Sequence, residues 1–565
     1  MAPSAENPIT RKRFLQGAAA VGIAAGAAAA APGSLLTPRA RAKKAPRAGL
    51  NILVVMVDQM RAPYVFMPRQ LQTTYVPNIT KLGDQGVRFS RYYTVSNDCT
   101  PARAAQVTGL YTHQIGIFGT TETATLNAGF PTFGSMLREN GYETNWFGKW
   151  HVTPTGDPRG ATCLMADPYE AYGFTANWPG KGTCPSPDGG ANQGIPFDPM
   201  TTSQFTTWLA SRQNTGTPWF SMLSLINPHD IQFFPNARPS DPAPSVYSRL
   251  PVNYETNDER RARMKPDMQY GSVDVHNKTF GYMPDNTRDP ALWAEMNNVY
   301  LQQNQYVDAQ IGVALNALAA SPFADNTMVI FTSDHGEYGG AHGMRGKGFS
   351  FYEEGARVPL IVRDPTGTWT KATKGVRRQM FSSVDLAALL LTVGTGGEKW
   401  RADAKYKQIA GRASIARVLA NPMAEGRPYI AHATDEEAVV PAQIGGADGQ
   451  IPYDAPNHIT AVRTDKGKIV RYAYWKPGTY NIDTSKRIDW EAYDYSTSAG
   501  RLELDNVYNK KSHAGFVRHL KALLQHANKH EIKKPLPSSL QATQDAAMTA
   551  WFGQTQTTPF SYAAL

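Results

Sequence analysis

Ile52-Leu53-Val54-Val55-Met56-Val57, preceded by Asn51 and followed at once by Asp58-Gln59, decides the fold class. A short run of apolar, β-branched residues with no polar alternation is the pattern of a strand buried on both faces. Such strands belong to parallel sheets covered by helices. A carboxylate directly after the strand places Asp58 where open α/β sheets gather their ligands. Outward from this strand, a helix around Asn78 to Gln85, a strand from Val87 to Val95, a short helix after Cys99 closed by Gly109, a helix from Thr132 to Asn140 and a strand from Tyr142 to Phe147 alternate. Pro218 to Ile226 is another buried strand. Leu292, Met296, Val299, Tyr300, Val307, Ile311, Leu315 and Leu318 recur mostly at three- and four-residue steps, which predicts one long amphipathic helix. Strands at Thr327 to Thr332 and Val358 to Val362 and a helix from Val384 to Val393 follow. The expectation is an α/β fold with a large, mostly parallel sheet flanked by helices. After residue 400 the texture changes to short β-like pieces (Ile459 to Arg463, Lys468 to Trp475, Glu491 to Tyr495) and a basic helix from His513 to His530. This predicts a main domain over 43–400 and a smaller C-terminal α+β subdomain over 401–565.

The first residues stand apart. Arg11-Lys12-Arg13-Phe14-Leu15 precedes an Ala/Gly-rich apolar stretch from Gly17 to Ala31 and then Ala40-Arg41-Ala42. That is the order of a basic region, an apolar region and an A-x-A cleavage site, so 1–42 is expected to be an export signal. Its basic part resembles the twin-arginine signal, and the mature chain is expected outside the cytoplasm of a bacterium, in the periplasm or beyond. The formal net charge of +10 shrinks with that leader: five basic residues and Glu6 depart, leaving about +6. So small an excess over so long a chain is no nucleic-acid signature. No apolar run after residue 40 is long enough to span a bilayer. Of the three cysteines, Cys163 and Cys184 lie in a Gly/Pro-rich segment and are either a disulfide or two free thiols in an exported protein. Residues 231–288 show little periodicity and are expected to form a surface insertion at the rim of a pocket.

The third cysteine begins Cys99-Thr100-Pro101-Ala102-Arg103, at the start of a helix whose free N–H groups and dipole favour negative charge. Titratable residues follow the ends of four expected strands: Asp58, then Lys149 and His151, then His229, then Asp334 and His335. Singly each has a bland reading as a cap, a turn residue or a solvated charge. In a doubly wound sheet those ends share one edge, so the residues can meet around Cys99, and this convergence is what points to an enzyme. Asp58 and Asp334 offer hard oxygen ligands to a divalent cation, with His335 either a further ligand or a hydrogen-bonding neighbour.

Cys99-x-Pro101-x-Arg103 with Thr108-Gly109-Leu110-Tyr111-Thr112-His113 resembles the sulfatase family of the alkaline-phosphatase superfamily. Ala102 stands where that family usually has Ser. The resemblance implies an alkaline-phosphatase-like fold and conversion of Cys99 to formylglycine by a formylglycine-generating enzyme. It also implies a cation (Ca²⁺, with Mg²⁺ or Mn²⁺ as alternatives) held by Asp58, Gln59, residue 99, Asp334 and His335. The family commonly has a second Asp at the position of Gln59 and often Asn at that of His335. Arg103 would hold the formylglycine, Lys149, His229 and Lys347 would neutralise the ester oxygens, His229 or Lys347 would protonate the leaving oxygen, and His151 would act as base. His113 and His342 match the family and are expected just behind these groups. The implied reaction is hydrolysis of a sulfate ester of a small molecule or saccharide. The competing readings are a phosphonate or phosphate ester hydrolase of the same superfamily and a non-catalytic binding protein on the same fold.

Overall fold

The computed structural model describes residues 49–119, 125–153, 169–176, 191–284, 286–371, 373–435, 458–476, 479 and 481–557. The leader, Cys163 and Cys184 lie outside them. The main sheet has eight strands: β1 (Asn51–Asp58), β2 (Val87–Tyr93), β3 (Glu143–Gly148), β4 (Thr175–Ala176), β5 (Trp219–Pro228), β6 (Thr327–Ser333), β7 (Leu360–Arg363) and β8 (Gly375–Ser382). Their spatial order is β4-β3-β5-β1-β6-β7-β2-β8. Every pairing is parallel except those of β7, which opposes both β6 and β2. This is the large, mostly parallel sheet that the run at Ile52 to Val57 implied.

That run is buried along its whole length, and its alternate residues feed two different cores. Ile52, Val54 and Met56 pack with the Cys99–Thr108 and Asp385–Gly394 helices. Leu53, Val55 and Val57 pack with the Pro77–Gln85, Gly194–Ser211 and Ala291–Ala320 helices. Helices therefore cover both faces, and polar groups are admitted mainly at the strand ends.

A second, antiparallel sheet follows, ordered β12-β11-β10-β9, from β9 (Ile430–Thr434), β10 (His458–Arg463), β11 (Gly467–Ala473) and β12 (Asp489–Asp494). The Ala514–Ala527 helix lies against it through Val517, Leu520 and Leu524. This is the smaller C-terminal α+β unit. Ala433 N donates to the Val95 carbonyl (2.9 Å), so the second sheet is tied to the chain just ahead of Cys99. No helix among the described residues is long and apolar enough to cross a membrane.

Two of the departures from the sequence reading lie outside the main sheet. Residues 231–288 contain the helices Asn257–Ala262 and Met268–Phe280, and they bury Glu255, Arg260, Lys265 and Gln269. The polar residues there pair inward: Lys265 contacts Glu255 (2.5 Å), and Gln269 donates to the Tyr352 and Tyr472 hydroxyls (3.0 and 2.8 Å). Polar composition thus concealed burial. The second departure is a helix at Ser538–Thr557 beyond the basic one, whose Leu540 and Ala547 return to the main core.

Candidate active site

Four strands adjacent in the sheet, β3, β5, β1 and β6, deliver Lys149 and His151, His229, Asp58, and Asp334 with His335 to one edge. Cys99 meets them from the first turn of its helix. Asp98 precedes that helix in extended conformation, and its side chain accepts from Cys99 N (2.8 Å). Pro101 sits in the first turn, where no backbone donor is needed. Arg103, one turn on, shares a face with Cys99. Gly109 closes the helix at φ 70°, a left-handed position where a Cβ would also meet Ile409 and Ala387 at 2.9 and 3.0 Å.

Cys99 Sγ lies 2.6 Å from Lys347 Nζ, 3.2 Å from His335 Nε2 and 3.7 Å from Asp58 Oδ1. One ligand atom from each of Asp58, Cys99, Asp334 and His335 falls within 4.8 Å of all the others. Lys149 Nζ is 2.9 Å from Asp58 Oδ2. Arg103 is completely buried, and its bonds run to the ligand carboxylates rather than to Cys99: Nε to Asp334 Oδ2 (2.8 Å) and Nη2 to Asp58 Oδ2 (3.0 Å), with Nη1 reaching Ser224 Oγ and the Lys149 carbonyl. One oxygen of each Asp is thus held by a guanidinium, which leaves Asp58 Oδ1 and Asp334 Oδ1 on the side of Cys99 and His335.

The remaining donors suit a divalent cation. His335 Nδ1 is 3.0 Å from the Gly336 carbonyl, so that nitrogen carries the proton and the Nε2 lone pair faces the carboxylates. Gln59 places its amide nitrogen against Glu337 Oε2 (2.6 Å) and Gln232 Oε1 (3.1 Å), while its buried Oε1 has no protein partner. Two carboxylates and one imidazole nitrogen form a hard donor set with a single softer atom, and the unpaired Gln59 oxygen belongs to the residue next to Asp58.

Electrostatics follow from burial and crowding. Burial works against the Asp58 charge, but the cations around it, Lys149 foremost and then Arg103 and Lys347, outweigh it and hold the carboxyl well below its ordinary range. Burial, helped by Asp58, pushes the Cys99 thiol up, so the unmodified side chain is a neutral thiol. Burial disfavours the Lys347 ammonium, and Asp58 and Asp98 oppose that effect. His151 and His229 are both pulled well below the ordinary imidazole value, first by burial and next by Lys149. Both are neutral at pH 7.

Two histidines expected beside this cluster belong elsewhere. His342 Nδ1 lies 2.8 Å from Glu255 Oε2 and 3.0 Å from Lys265 Nζ, and its ring stacks on Tyr352 at 3.7 Å. It joins the 231–288 insertion to the 336–350 loop. His113 Nε2 and His458 Nδ1 share the two oxygens of Asp435 at 2.5 Å each, which fastens the β9–β10 end to the turn after the Cys99 helix. Sequence reasoning gave no role to Glu337 or Gln232. The available signal was Gln in place of a carboxylate at position 59, together with an acid two residues after His335.

Fold and site define a class: an α/β protein whose strand ends assemble a buried acid, cation and cysteine cluster of the kind used for ester hydrolysis. The sulfatase family model matches residues 50–396, and the chain belongs to that family of sulfuric ester hydrolases, within the alkaline-phosphatase superfamily. An uncharacterized sulfatase, YidJ, of Escherichia coli K12 is 29% identical over 368 residues, covering 61% of this chain and 67% of its own. An N-acetylglucosamine-6-O-sulfatase of Bacteroides thetaiotaomicron is 24% identical across 85% of this chain and 86% of its own. Among solved structures, the phosphonate monoester hydrolase of Silicibacter pomeroyi shares the fold, with a TM-score of 0.59 and 21% identity over 85% of this chain and 95% of that one.

Proposed function

We propose that the chain hydrolyses a sulfate ester to an alcohol or phenol and inorganic sulfate, with residue 99 as nucleophile after its cysteine has been converted to formylglycine. The observation that carries this reading is the placement of Cys99 Sγ, 2.6 Å from a lysine and inside a buried set of carboxylate and imidazole donors. Sγ marks the position that the hydroxyls of a hydrated formylglycine would take. A divalent cation held by Asp58, Gln59, Asp334 and His335, with residue 99 as a further ligand, would supply Lewis-acid charge beside that hydroxyl; Ca²⁺ is the first choice, then Mg²⁺ or Mn²⁺.

The protein's own groups account for the rest. Arg103 orients both Asp side chains, and Lys149, His229 and Lys347 face the ester oxygens with positive or hydrogen-bonding groups. One hydroxyl of residue 99, its proton released to solvent, attacks sulfur through its oxygen, the S–O bond to the alcohol breaks, and the departing oxygen takes a proton. The two candidate donors of that proton are His229 and Lys347. The second hydroxyl of residue 99 gives its proton to neutral His151, its electron pair closes the C=O bond, and the C–O bond to sulfate breaks. Water re-adds to the aldehyde. Because His151 must be neutral and its pKa is depressed, the acid limb of the kcat–pH profile is expected below 6.5, the ordinary imidazole value. A limb at or above that value would remove His151 from the role of base.

The deciding experiment pairs sulfate, phosphate and phosphonate esters of the same leaving groups on matured protein. The expected result is a higher kcat/KM for sulfate, with Lys149→Ala lowering it by about 2–4 kcal/mol of transition-state stabilisation. A preference for phosphate or phosphonate, the chemistry named for the Silicibacter pomeroyi protein, would instead assign that activity. The saccharide named for the Bacteroides thetaiotaomicron relative makes sulfated sugars the first leaving groups to test, alongside small aryl esters. We further propose that 1–42 exports the mature protein out of a bacterial cytoplasm, after a formylglycine-generating enzyme has acted on Cys99.

A further inference from the structure

Position 59 carries a neutral amide among cation ligands, yet a buried carboxylate lies directly behind it. Glu337 Oε2 is 2.6 Å from Gln59 Nε2, and a carboxylate can only accept, so this contact fixes which end of the amide faces Glu337. Gln232 Oε1, at 3.1 Å from the same nitrogen, accepts a second bond from it. The other end, Oε1, is buried and has no protein partner. Glu337 cannot swing away, because its Oε1 accepts from Gly339 N (2.9 Å) and Gly346 N (2.8 Å), two glycines at φ 57° and 70° that fold the 339–346 loop around it. Nor can Gln59 shift its backbone: its N–H donates to Asp334 Oδ1 (3.2 Å), and its carbonyl accepts from the Tyr300 hydroxyl (2.9 Å).

We propose that Glu337 is a positioning residue that locks the Gln59 amide with its oxygen turned to the cation. This rests on the reading of Asp58, Gln59, Asp334 and His335 as cation ligands. Without the lock, the amide nitrogen and oxygen exchange places at little cost, and a nitrogen bearing two hydrogens then meets the cation. Outer partners of ligating side chains act in this way, and their loss typically weakens metal binding about 10- to 100-fold.

The geometry permits a test that simple loop damage cannot imitate. In Glu337→Gln, the new amide keeps its oxygen on the Gly339 and Gly346 N–H groups, so its NH₂ faces the Gln59 NH₂ and drives Gln59 to flip. In Gln59→Glu/Glu337→Gln, that same NH₂ donates to the new carboxylate, and Gln232 follows by turning its own amide over. Glu337→Gln therefore weakens cation binding when residue 59 is Gln and strengthens it when residue 59 is Glu, where it replaces a repelling carboxylate. The full chain, stripped by chelator, is titrated with Ca²⁺, Mg²⁺ and Mn²⁺ in turn. Dissociation constants for the tightest are read by competition with a metal-binding dye for the wild type, both single variants, the double variant and Asp334→Ala, beside their metal-free melting temperatures. The expected result is the reversal of sign, with a loss of about 10- to 100-fold in Glu337→Gln. If Asp334→Ala loses the cation but Glu337→Gln binds as the wild type does, or if Glu337→Gln acts in the same direction in both backgrounds, the lock is refuted and the ligand reading stands. A wild type that binds none of the three cations overturns both.

Discussion

Cys99→Ala is expected to fold like the wild type and to lose turnover by roughly 10⁴-fold or more, the scale seen when a nucleophile is deleted. The side chain lies at a helix start whose cap, Asp98, and whose buried flank, Ala102 to Val107, do not depend on the sulfur. Folding therefore has little to lose. Catalysis has everything to lose, because a buried thiol with a raised pKa is a poor nucleophile, and even a thiolate has no second hydroxyl with which to expel sulfate. Peptide mass spectrometry on active protein is the companion measurement, and an aldehyde in place of the Cys99 thiol is the expected finding. Full specific activity with an intact thiol would exclude the mechanism. An intact thiol with no activity would favour the binding-protein reading.

Asp58→Ala is expected to remove bound cation and activity together, and to destabilise the protein as well. Asp58 is the only carboxylate that touches both Arg103 (3.0 Å) and Lys149 (2.9 Å) among the described residues, and all three are fully buried. Removing it leaves Lys149 without its counter-charge beside Lys347 and Arg103, and stranding a buried charge in this way costs about 3–5 kcal/mol. Cation stoichiometry and urea unfolding measure the two effects separately. A variant that keeps both its cation and its rate would show that Asp58 is not a ligand. The same charge arithmetic sets a pH dependence. Asp58 has a folded pKa held well below the ordinary carboxylate value, so its stabilisation is present above that ordinary value and is lost as pH falls through the depressed one.

What the sequence determined by itself was local and periodic. The unbroken run at Ile52 to Val57 announced a strand covered on both faces, the three- and four-residue steps from Leu292 to Leu318 announced the Ala291–Ala320 helix, and Gly109 marked the end of the Cys99 helix. Acids, lysines and histidines placed just past strand ends were enough to nominate Asp58, Lys149, His151, His229, Asp334 and His335, because a parallel sheet brings such ends to one edge. Other elements carried no such mark. Strand β8 exposes Val376 and Arg378 at the sheet's rim, so Gly375 to Ser382 lacks the apolar signal of a central strand, and only its pairing with β2 makes it one. The segment 231–288 buries Lys265, between its two helices, and Gln269, and that burial is tolerated because Glu255 and two tyrosines stand opposite. Which groups each polar side chain meets was decided in three dimensions alone. Arg103 binds the two Asp side chains, His342 joins Glu255, His113 joins Asp435, and Glu337 turns Gln59. These partners lie between 45 and 322 residues apart in the chain, and a hydrogen bond or ion pair has no sequence period by which it can be read in advance.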